Sequence, residues 1–336
     1  ILILGPMSDK YGRKPVLIAS ISISLIFSAA CAFAPNITLL ILARAASAFG
    51  AGGMVAISTA LIKDSYEGKE MSKVLSVTQA FMLIAPMLAP VLGAIILKVA
   101  DWKMTFIVLA ILTGVSLVGA FLLQETLPVK ERTQSSTIQT ILGLRKVAKN
   151  PNFSSLLLVG ALIAAPFMAY LALASYIYID GFGVSETTFS MYFALNAGAS
   201  ILGPVMYMRF GAGSVKKVIS AGIIVAIISA ILILTIGNAS PIIFLLSYVL
   251  YSIMTSYFRP LISDLLLSAT KTDVGATSSV MNFGFTVIGS IGMVVGSLQW
   301  SSYTGGLGIT MLIFIALTMI VWLYLLKAKS IRFDWK

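Results

Sequence analysis

Ten stretches of this chain, near residues 15–34, 37–62, 74–97, 103–124, 153–178, 187–208, 217–237, 241–266, 275–298 and 304–326, run for twenty or more residues with almost no charge. A helix crossing the roughly 30 Å hydrocarbon core of a bilayer needs about 20 apolar residues, so each stretch is long enough to span a membrane. A membrane barrel would need strands of about ten residues with strict alternation, whereas these runs are longer and uniformly apolar. Composition agrees: 59% of residues are hydrophobic, only 10% are charged, and mean hydropathy is +1.00. Soluble domains carry roughly 25% charged residues, so the expected fold class is an all-α membrane protein.

The net charge of +11 would suggest a nucleic-acid partner in a soluble chain. The placement of the basic residues argues otherwise. If residues 5–15 face the cytoplasm, the loops on that side hold Lys10, Arg13, Lys14, Lys63, Lys69, Lys73, Lys130, Arg132, Arg145, Lys146, Lys149, Arg209, Lys216, Lys217, Lys271, Lys327, Lys329, Arg332 and Lys336. Of the 23 basic residues, only Lys98 and Lys103 in opposite loops, and Arg44 and Arg259 inside spans, fall elsewhere. This bias orients a multi-pass protein of a bacterial inner (cytoplasmic) membrane, with the lipid bilayer and not nucleic acid as its partner. The lone Cys31 and the lack of histidine leave no intramolecular disulfide, no thiolate cluster and no histidine-based haem, zinc or proton-relay site. No cofactor is expected.

Organisation follows from the one long polar stretch. Residues 125–152 separate four spans from six, which predicts an N-terminal bundle over 1–124, a cytoplasmic central loop over 125–152, a C-terminal bundle over 153–326 and a cytoplasmic tail over 327–336. Within the central loop, Ile138, Ile141, Leu142 and Val147 suit a short amphipathic helix on the membrane surface. Gly5-Pro6 followed by Lys10, Arg13, Lys14 and Val16 recurs as Gly203-Pro204 followed by Arg209, Lys216, Lys217 and Val218. In the second half two spans precede or contain the motif, and in the first only Ile1–Leu4 do. The repeat therefore predicts about 45 residues ahead of Ile1, helix 1 among them, and ten helices present of an inferred twelve. A natural ten-helix chain is the alternative.

The segment Gly5-Pro6-Met7-Ser8-Asp9-Lys10-Tyr11-Gly12-Arg13-Lys14-Pro15 reads as a short cytoplasmic turn, with glycines for tight geometry and a proline opening the next helix. Asp9 can pair with Arg13 or accept from a helix N-terminus. The alternative is a solvated charged turn that only sets topology. Arg44 lies inside an apolar span, where an arginine costs on the order of 2.5–3.5 kcal/mol on insertion scales, so it must face a cavity or a partner or snorkel to the outer interface. Ala85-Pro86-Met87-Leu88-Ala89-Pro90-Val91-Leu92-Gly93-Ala94 sets small residues at intervals of four beside two prolines, which permits close helix contact and a bend.

Taken together these segments resemble the major facilitator superfamily. Gly5, Asp9, Gly12 and Arg13 match the signature of the loop between its second and third helices, and the resemblance implies a latch that holds two bundles together on the cytoplasmic side. Arg44, followed by Ala45, Ala46, Ala48, Gly50, Gly52 and Gly53, resembles the family's fourth-helix motif and implies a role in proton coupling or as a cavity charge. Ala85, Pro86, Ala89, Pro90 and Gly93 look like the fifth-helix antiporter motif in its alanine-bearing form, found in bicyclomycin- and chloramphenicol-resistance exporters. Asp101-Trp102-Lys103 with Phe106, and Gln124-Glu125-Thr126-Leu127-Pro128, resemble the two ends of helix six and equally suit interfacial anchoring.

The resemblance implies a two-bundle secondary transporter, not an enzyme. It would export small amphipathic drugs or metabolites by proton antiport with alternating access, with the proton gradient as energy source and the monomer as working unit. Its substrate cavity should lie at the midplane, lined by Met54, Gln79, Met82, Tyr170, Tyr192, Asn196, Tyr248, Tyr251, Asn282 and Phe283, each of which is also ordinary core filler. Arg259, five residues before Asp264, suits a structural ion pair or a snorkelled side chain better than a substrate contact. No carboxylate lies deep in a span, so the proton carrier is expected in the absent first helix and the chain by itself should not transport. An uptake permease of the same superfamily, an inactive exporter fragment, a channel and a membrane enzyme are the rivals. A pore-lining ring of polar residues and a convergent catalytic set are both missing from the sequence.

Overall fold

A computed structural model describes residues 3–66, 70, 74, 78, 85, 89–132, 144–145, 147–210, 214–268 and 274–327. They are helical almost throughout. The helices are α1 (Leu4–Tyr11), α2 (Arg13–Ala32), α3 (Ile37–Ser65), α4 (Lys103–Leu122), α5 (Pro151–Ser175), α6 (Glu186–Ser200), α7 (Leu202–Phe210), α8 (Val215–Thr235), α9 (Pro241–Ser268), α10 (Val274–Gly296) and α11 (Tyr303–Lys327). Among the described residues nine helical segments are long and apolar enough to cross a membrane. Half of the stretch expected at 74–97 falls outside the described residues, as do the residues expected to form a surface helix around 138–142.

Local chemistry starts these helices where the sequence changes character. Asn36 caps α3 by accepting from the Leu39 N–H at 2.9 Å, and Ser185 caps α6 by accepting from the Thr188 N–H at 3.2 Å. Asn150 accepts from both Asn152 and Phe153 N–H groups at the head of α5, whose first residue is Pro151. Each cap satisfies donors that the first helical turn leaves unpaired. Hydroxyls along the spans turn back on their own helix: Ser20 donates to Val16 O, Thr113 to Leu109 O, Thr310 to Gly306 O and Thr318 to Phe314 O, all at 2.7–2.8 Å. In lipid no water is present to take that role.

Three expected boundaries shift. The span expected at 187–208 is two helices, α6 and α7, interrupted at Ile201, because Pro204 has no N–H to donate to the Ser200 carbonyl. The span expected to end at 178 leaves α5 at Ser175 and continues as a π-helical turn over Tyr176–Gly181. The segment expected as a turn over Gly5–Pro15 is helical up to Tyr11, with Pro6 in its first turn, and the chain reverses at Gly12 alone.

The backbone forms two compact units, Ile1–Ala85 with Leu92–Gly143, and Pro86–Val91 with Leu144–Lys336. In the first, α2 packs along α3 and α4. Its core gathers Leu4, Val16, Leu17, Ile21, Ile57 and Ala120. The α2–α3 seam is polar and close: the Ser28 and Ser47 hydroxyls lie 2.8 Å apart, and a Cβ on Gly50 would stand 2.5 Å from Ser20 O and 2.7 Å from Ser24 N. Small side chains let membrane helices approach this far, so dispersion and hydroxyl contacts replace the hydrophobic drive that lipid cannot supply. In the second unit α5 packs between α10 and α11, and α9 packs against α5, α6, α7 and α8. Outward faces are apolar, with Leu112, Val115 and Leu122 of α4 and Val294 of α10 exposed. A bilayer-solvated surface has that composition.

Candidate functional site

Two clusters stand out, one in each unit. The first is a charge network at one end of α2. Gly12 sits at φ 104°, a backbone conformation that L side chains rarely adopt, and it turns the chain so that α2 starts at Arg13. Arg13 then reaches three partners. Its Nε donates to Asp64 Oδ2 at 2.8 Å, and a terminal nitrogen donates to Ser8 Oγ at 2.8 Å and to the Asp9 carboxylate. The guanidinium is largely buried, so the planar fork satisfies itself on α1 and on the last turn of α3 together.

Glu125 closes the network from the far side of α4. One carboxylate oxygen accepts from the Arg13 N–H at 2.9 Å and the Leu127 N–H at 3.1 Å; the other accepts from the Lys14 N–H at 3.3 Å and pairs with Arg132 at 3.6 Å. A carboxylate at a helix N-terminus meets the positive end of the macrodipole and two of its unpaired donors. Gly12 is required for this approach. A Cβ there would overlap Glu125 Oε2 and come within 2.8 Å of an Arg132 terminal nitrogen. Thr126 Oγ1 also donates to Asp64, at 3.3 Å.

Of the residues expected at the latch, Asp9, Gly12 and Arg13 meet here, with Gly5 one α1 turn away, where its carbonyl accepts from Ser8. Asp64 as a partner of Arg13, and Glu125 as the cap of α2, were not foreseen. Both are acids at helix ends on the expected cytoplasmic face, which is the signal that could have found them.

Arg44 lies on α3 near the other end of that helix, with an exposed side chain and its guanidinium 5.6 Å from the Phe106 ring centroid. A cation over an aromatic face is favourable and leaves the hydrogen-bonding edges free. Met54 is half-buried against the Leu4, Val16 and Ile57 core. Ala85, Ala89, Pro90 and Gly93 are helical, and Pro86 lies outside the described residues, as do Gln79 and Met82. A Cβ on Gly93 would meet nothing within 4 Å, so the close packing expected of that motif is not made at this position.

The second cluster is aromatic and lies inside the second unit. Tyr170 of α5 stacks on Tyr248 of α9 with centroids 4.0 Å apart, and on Phe193 of α6 at 5.9 Å. Tyr178, in the π turn, stacks on Tyr192 at 5.1 Å and meets Phe244 edge-on at 5.4 Å. Tyr170, Tyr178, Tyr248 and Tyr251 are all fully buried. The Tyr251 hydroxyl donates to Ile163 O, but the hydroxyls of Tyr170 and Tyr178 and the amide oxygen of Asn196 are buried without a hydrogen-bond partner. The Tyr248 hydroxyl, in the same stack as Tyr170, is likewise buried without a hydrogen-bond partner.

Of the residues expected at a substrate cavity, Tyr170, Tyr192, Tyr248 and Tyr251 meet in this one cluster, and Asn196 is buried on α6. Tyr178, Phe193 and Phe244 complete it and were not foreseen. Asn282 and Phe283 are exposed on α10. Asp264 accepts from the Tyr207 hydroxyl across α7 and α9, and it makes no ion pair with Arg259.

Comparison with known proteins adds the following. Residues 1–293 match the profile of the Major Facilitator Superfamily. The chain is 34% identical over 239 residues to a Bacillus subtilis protein described as an uncharacterized MFS-type transporter, YdgK, spanning 70% of this chain but only 59% of that relative. It is 25% identical over 311 residues to the multidrug resistance protein MdtM of Escherichia coli O157:H7, covering 90% of this chain and 75% of MdtM. In fold it is similar to a bacterial homolog of the human lysosomal transporter Spinster, solved in an inward-facing and occupied conformation. That match has a TM-score of 0.71 at 15% identity, and it covers 100% of this chain and 86% of the other.

Proposed function

Because this chain belongs to the major facilitator superfamily, we propose that it works as an exporter of small amphipathic drugs or metabolites, driven by proton antiport with alternating access. It is a membrane transporter and not an enzyme. The observation that carries the export reading is the Asp9–Arg13–Asp64 network with Glu125 on the head of α2, considered beside relatives named for multidrug resistance. Such a cluster is a two-state element: solutes and protons that favour one arrangement of the bundle must make or break these contacts. The aromatic cluster supplies the other need. Flat, polarizable surfaces with a few polar groups accept varied amphipathic solutes.

In this reading Gly5, Asp9, Gly12 and Arg13 form the latch, and Arg44 tunes the proton site from its accessible face. Ala85, Pro86, Ala89, Pro90 and Gly93 carry the fifth-helix motif of the antiporter type. The protein works as a monomer in a bacterial inner membrane and takes its energy from the proton gradient without a cofactor.

The full-length gene, expressed in a bacterial strain stripped of its own efflux pumps, should lower susceptibility to part of a drug panel, and a protonophore should abolish that protection. Inside-out vesicles should accumulate the same compounds on acidification of their lumen. Unchanged susceptibility across the panel, or accumulation by right-side-out vesicles instead, would overturn the export reading.

A further inference from the structure

The segment that carries Pro90 is placed unlike its neighbours in the chain. Residues up to Ala85 and from Leu92 to Gly143 form the first unit, yet Pro86–Val91 between them belongs to the second. Within the second unit a hydrogen bond ties this segment to α6. Ser190 donates to Pro90 O at 3.1 Å, and Ser190 is only 4% exposed although Thr187 and Met191 on the same stretch of α6 are exposed.

Ser190 also has a second acceptor. Its Oγ lies 2.9 Å from the carbonyl of Glu186, one turn earlier in α6. A hydroxyl carries one proton, so it serves two carbonyls only by sharing or by switching. Ser200 and Thr318 donate back four residues along their own helices, which is the resting state of a hydroxyl where no water is present. Breaking the contact with Pro90 therefore leaves no orphan. The proton falls back on Glu186 O, and the Pro90 carbonyl keeps the lone pair that the following helical turn uses. A contact that opens without stranding a buried polar group is cheap to reverse, because the penalty of an unmade bond does not arise.

Position gives this contact its consequence. Ser190 lies one turn before Phe193, whose ring stacks on Tyr170, and Phe189 meets both Phe193 and Tyr178. The same turn of α6 thus touches the chain at Pro90 and the aromatic cluster. Pro90 precedes Lys98 and Ser190 follows Glu186, so the contact sits toward the helix ends that the charge bias sets opposite the basic loops.

We propose that Ser190 is a positioning residue of the transport cycle. In one arrangement its hydroxyl clasps Pro90 O and holds the chain there against α6. In the other it returns to Glu186 O, and the chain at Pro90 parts from α6 on the outer side. This inference rests on the transport reading and gives the antiporter-type segment a partner and a release step.

The test uses the full-length protein in right-side-out membrane vesicles, with Cys31→Ser and a reporter at Ala194→Cys. Ala194 is a half-buried small residue one turn beyond Ser190 on the same face of α6. A membrane-impermeant maleimide then reports from the outer side how often that face opens. Ser190→Ala should speed labelling about two- to tenfold, the population shift that one net hydrogen bond supports. Ser190→Thr keeps the hydroxyl and should return the rate to that of the parent. A merely structural contact would lower the thermal unfolding midpoint and leave labelling unmoved, which would overturn the proposal. Slower labelling in Ser190→Ala, no rescue by Ser190→Thr, or a Ser190→Ala protein that no longer folds would overturn it as well. The two readings fail separately. Ser190-dependent labelling in a protein that confers no proton-dependent resistance would overturn the export reading and uphold the clasp. Resistance with labelling indifferent to Ser190→Ala would do the reverse.

Discussion

Glu125 accepts the main-chain N–H of Arg13 at 2.9 Å across 112 residues of sequence, so the helix that begins at Arg13 is capped by a side chain that follows α4. A cap supplied from so far away makes the start of α2 depend on the fold of the unit, which gives the first prediction. Glu125→Ala should lower stability by about 1 kcal/mol, the usual cost of losing an N-terminal cap. Thermal unfolding in detergent, followed by intrinsic fluorescence, should show the shift. A midpoint equal to that of the unaltered protein would remove Glu125 from the account.

Gly12 and Glu125 should also be coupled. Gly12→Ala forces a side chain into a positive-φ position and into the Glu125 carboxylate, at a cost of about 1–3 kcal/mol for the backbone alone. Placing Glu125→Ala beside it removes the overlap but not the backbone strain. The double variant should therefore be less destabilised than the two single losses together, by about 0.5 kcal/mol or more. Strict additivity in the same unfolding measurement would show that the two sites do not touch.

Tyr170 and Tyr251 should respond in opposite directions to loss of their hydroxyls. Tyr251→Phe leaves the Ile163 carbonyl without its donor and should destabilise by about 1 kcal/mol. Tyr170→Phe removes a buried hydroxyl with no partner, so stability should hold or rise while export of hydrogen-bonding solutes falls. Paired unfolding and vesicle-uptake measurements separate the two. A destabilised Tyr170→Phe would mean that its hydroxyl is already satisfied.

Two glycines of the first unit offer a control for close packing. Gly50→Ala sets a methyl against the Ser20 and Ser24 backbone, which cannot yield without parting α2 from α3, and should cost about 1–3 kcal/mol. Gly93→Ala has open space around it and should fold as the parent does. Retained yield and unfolding midpoint with lost export would then assign Gly93 to motion. Normal export would remove it from the transport cycle.

Much of this organisation is legible in the residues themselves. Lipid requires uninterrupted apolar helices, so spans such as 217–237 and 304–326 declare themselves by length, and the basic loops orient them. Arg13 and Asp9 announce their pairing because they are one helical turn apart. Asp64 and Glu125 do not, since only tertiary packing brings the ends of α3 and α4 to α2. The aromatic cluster is half legible for a similar reason. Tyr170, Tyr192 and Tyr248 attract attention as polar aromatics in spans, whereas Phe193 and Phe244 look like any lipid-facing ring until α5, α6 and α9 are assembled. The break at Ile201 was readable from Pro204, but an apolar run on either side conceals it.

The serine-lined seam between α2 and α3 has one more consequence. With hydroxyls of Ser28 and Ser47 bonded across it and no room for a methyl at Gly50, the two helices cannot slide or roll on each other without breaking contacts along their length. They behave as a single plank. Arg13 and Asp64 sit at one end, and Arg44 is about 30 Å away along α3. A tilt imposed where the guanidinium meets its carboxylates thus reappears at Arg44 as a displacement of similar size, carried mechanically by a lever of paired helices.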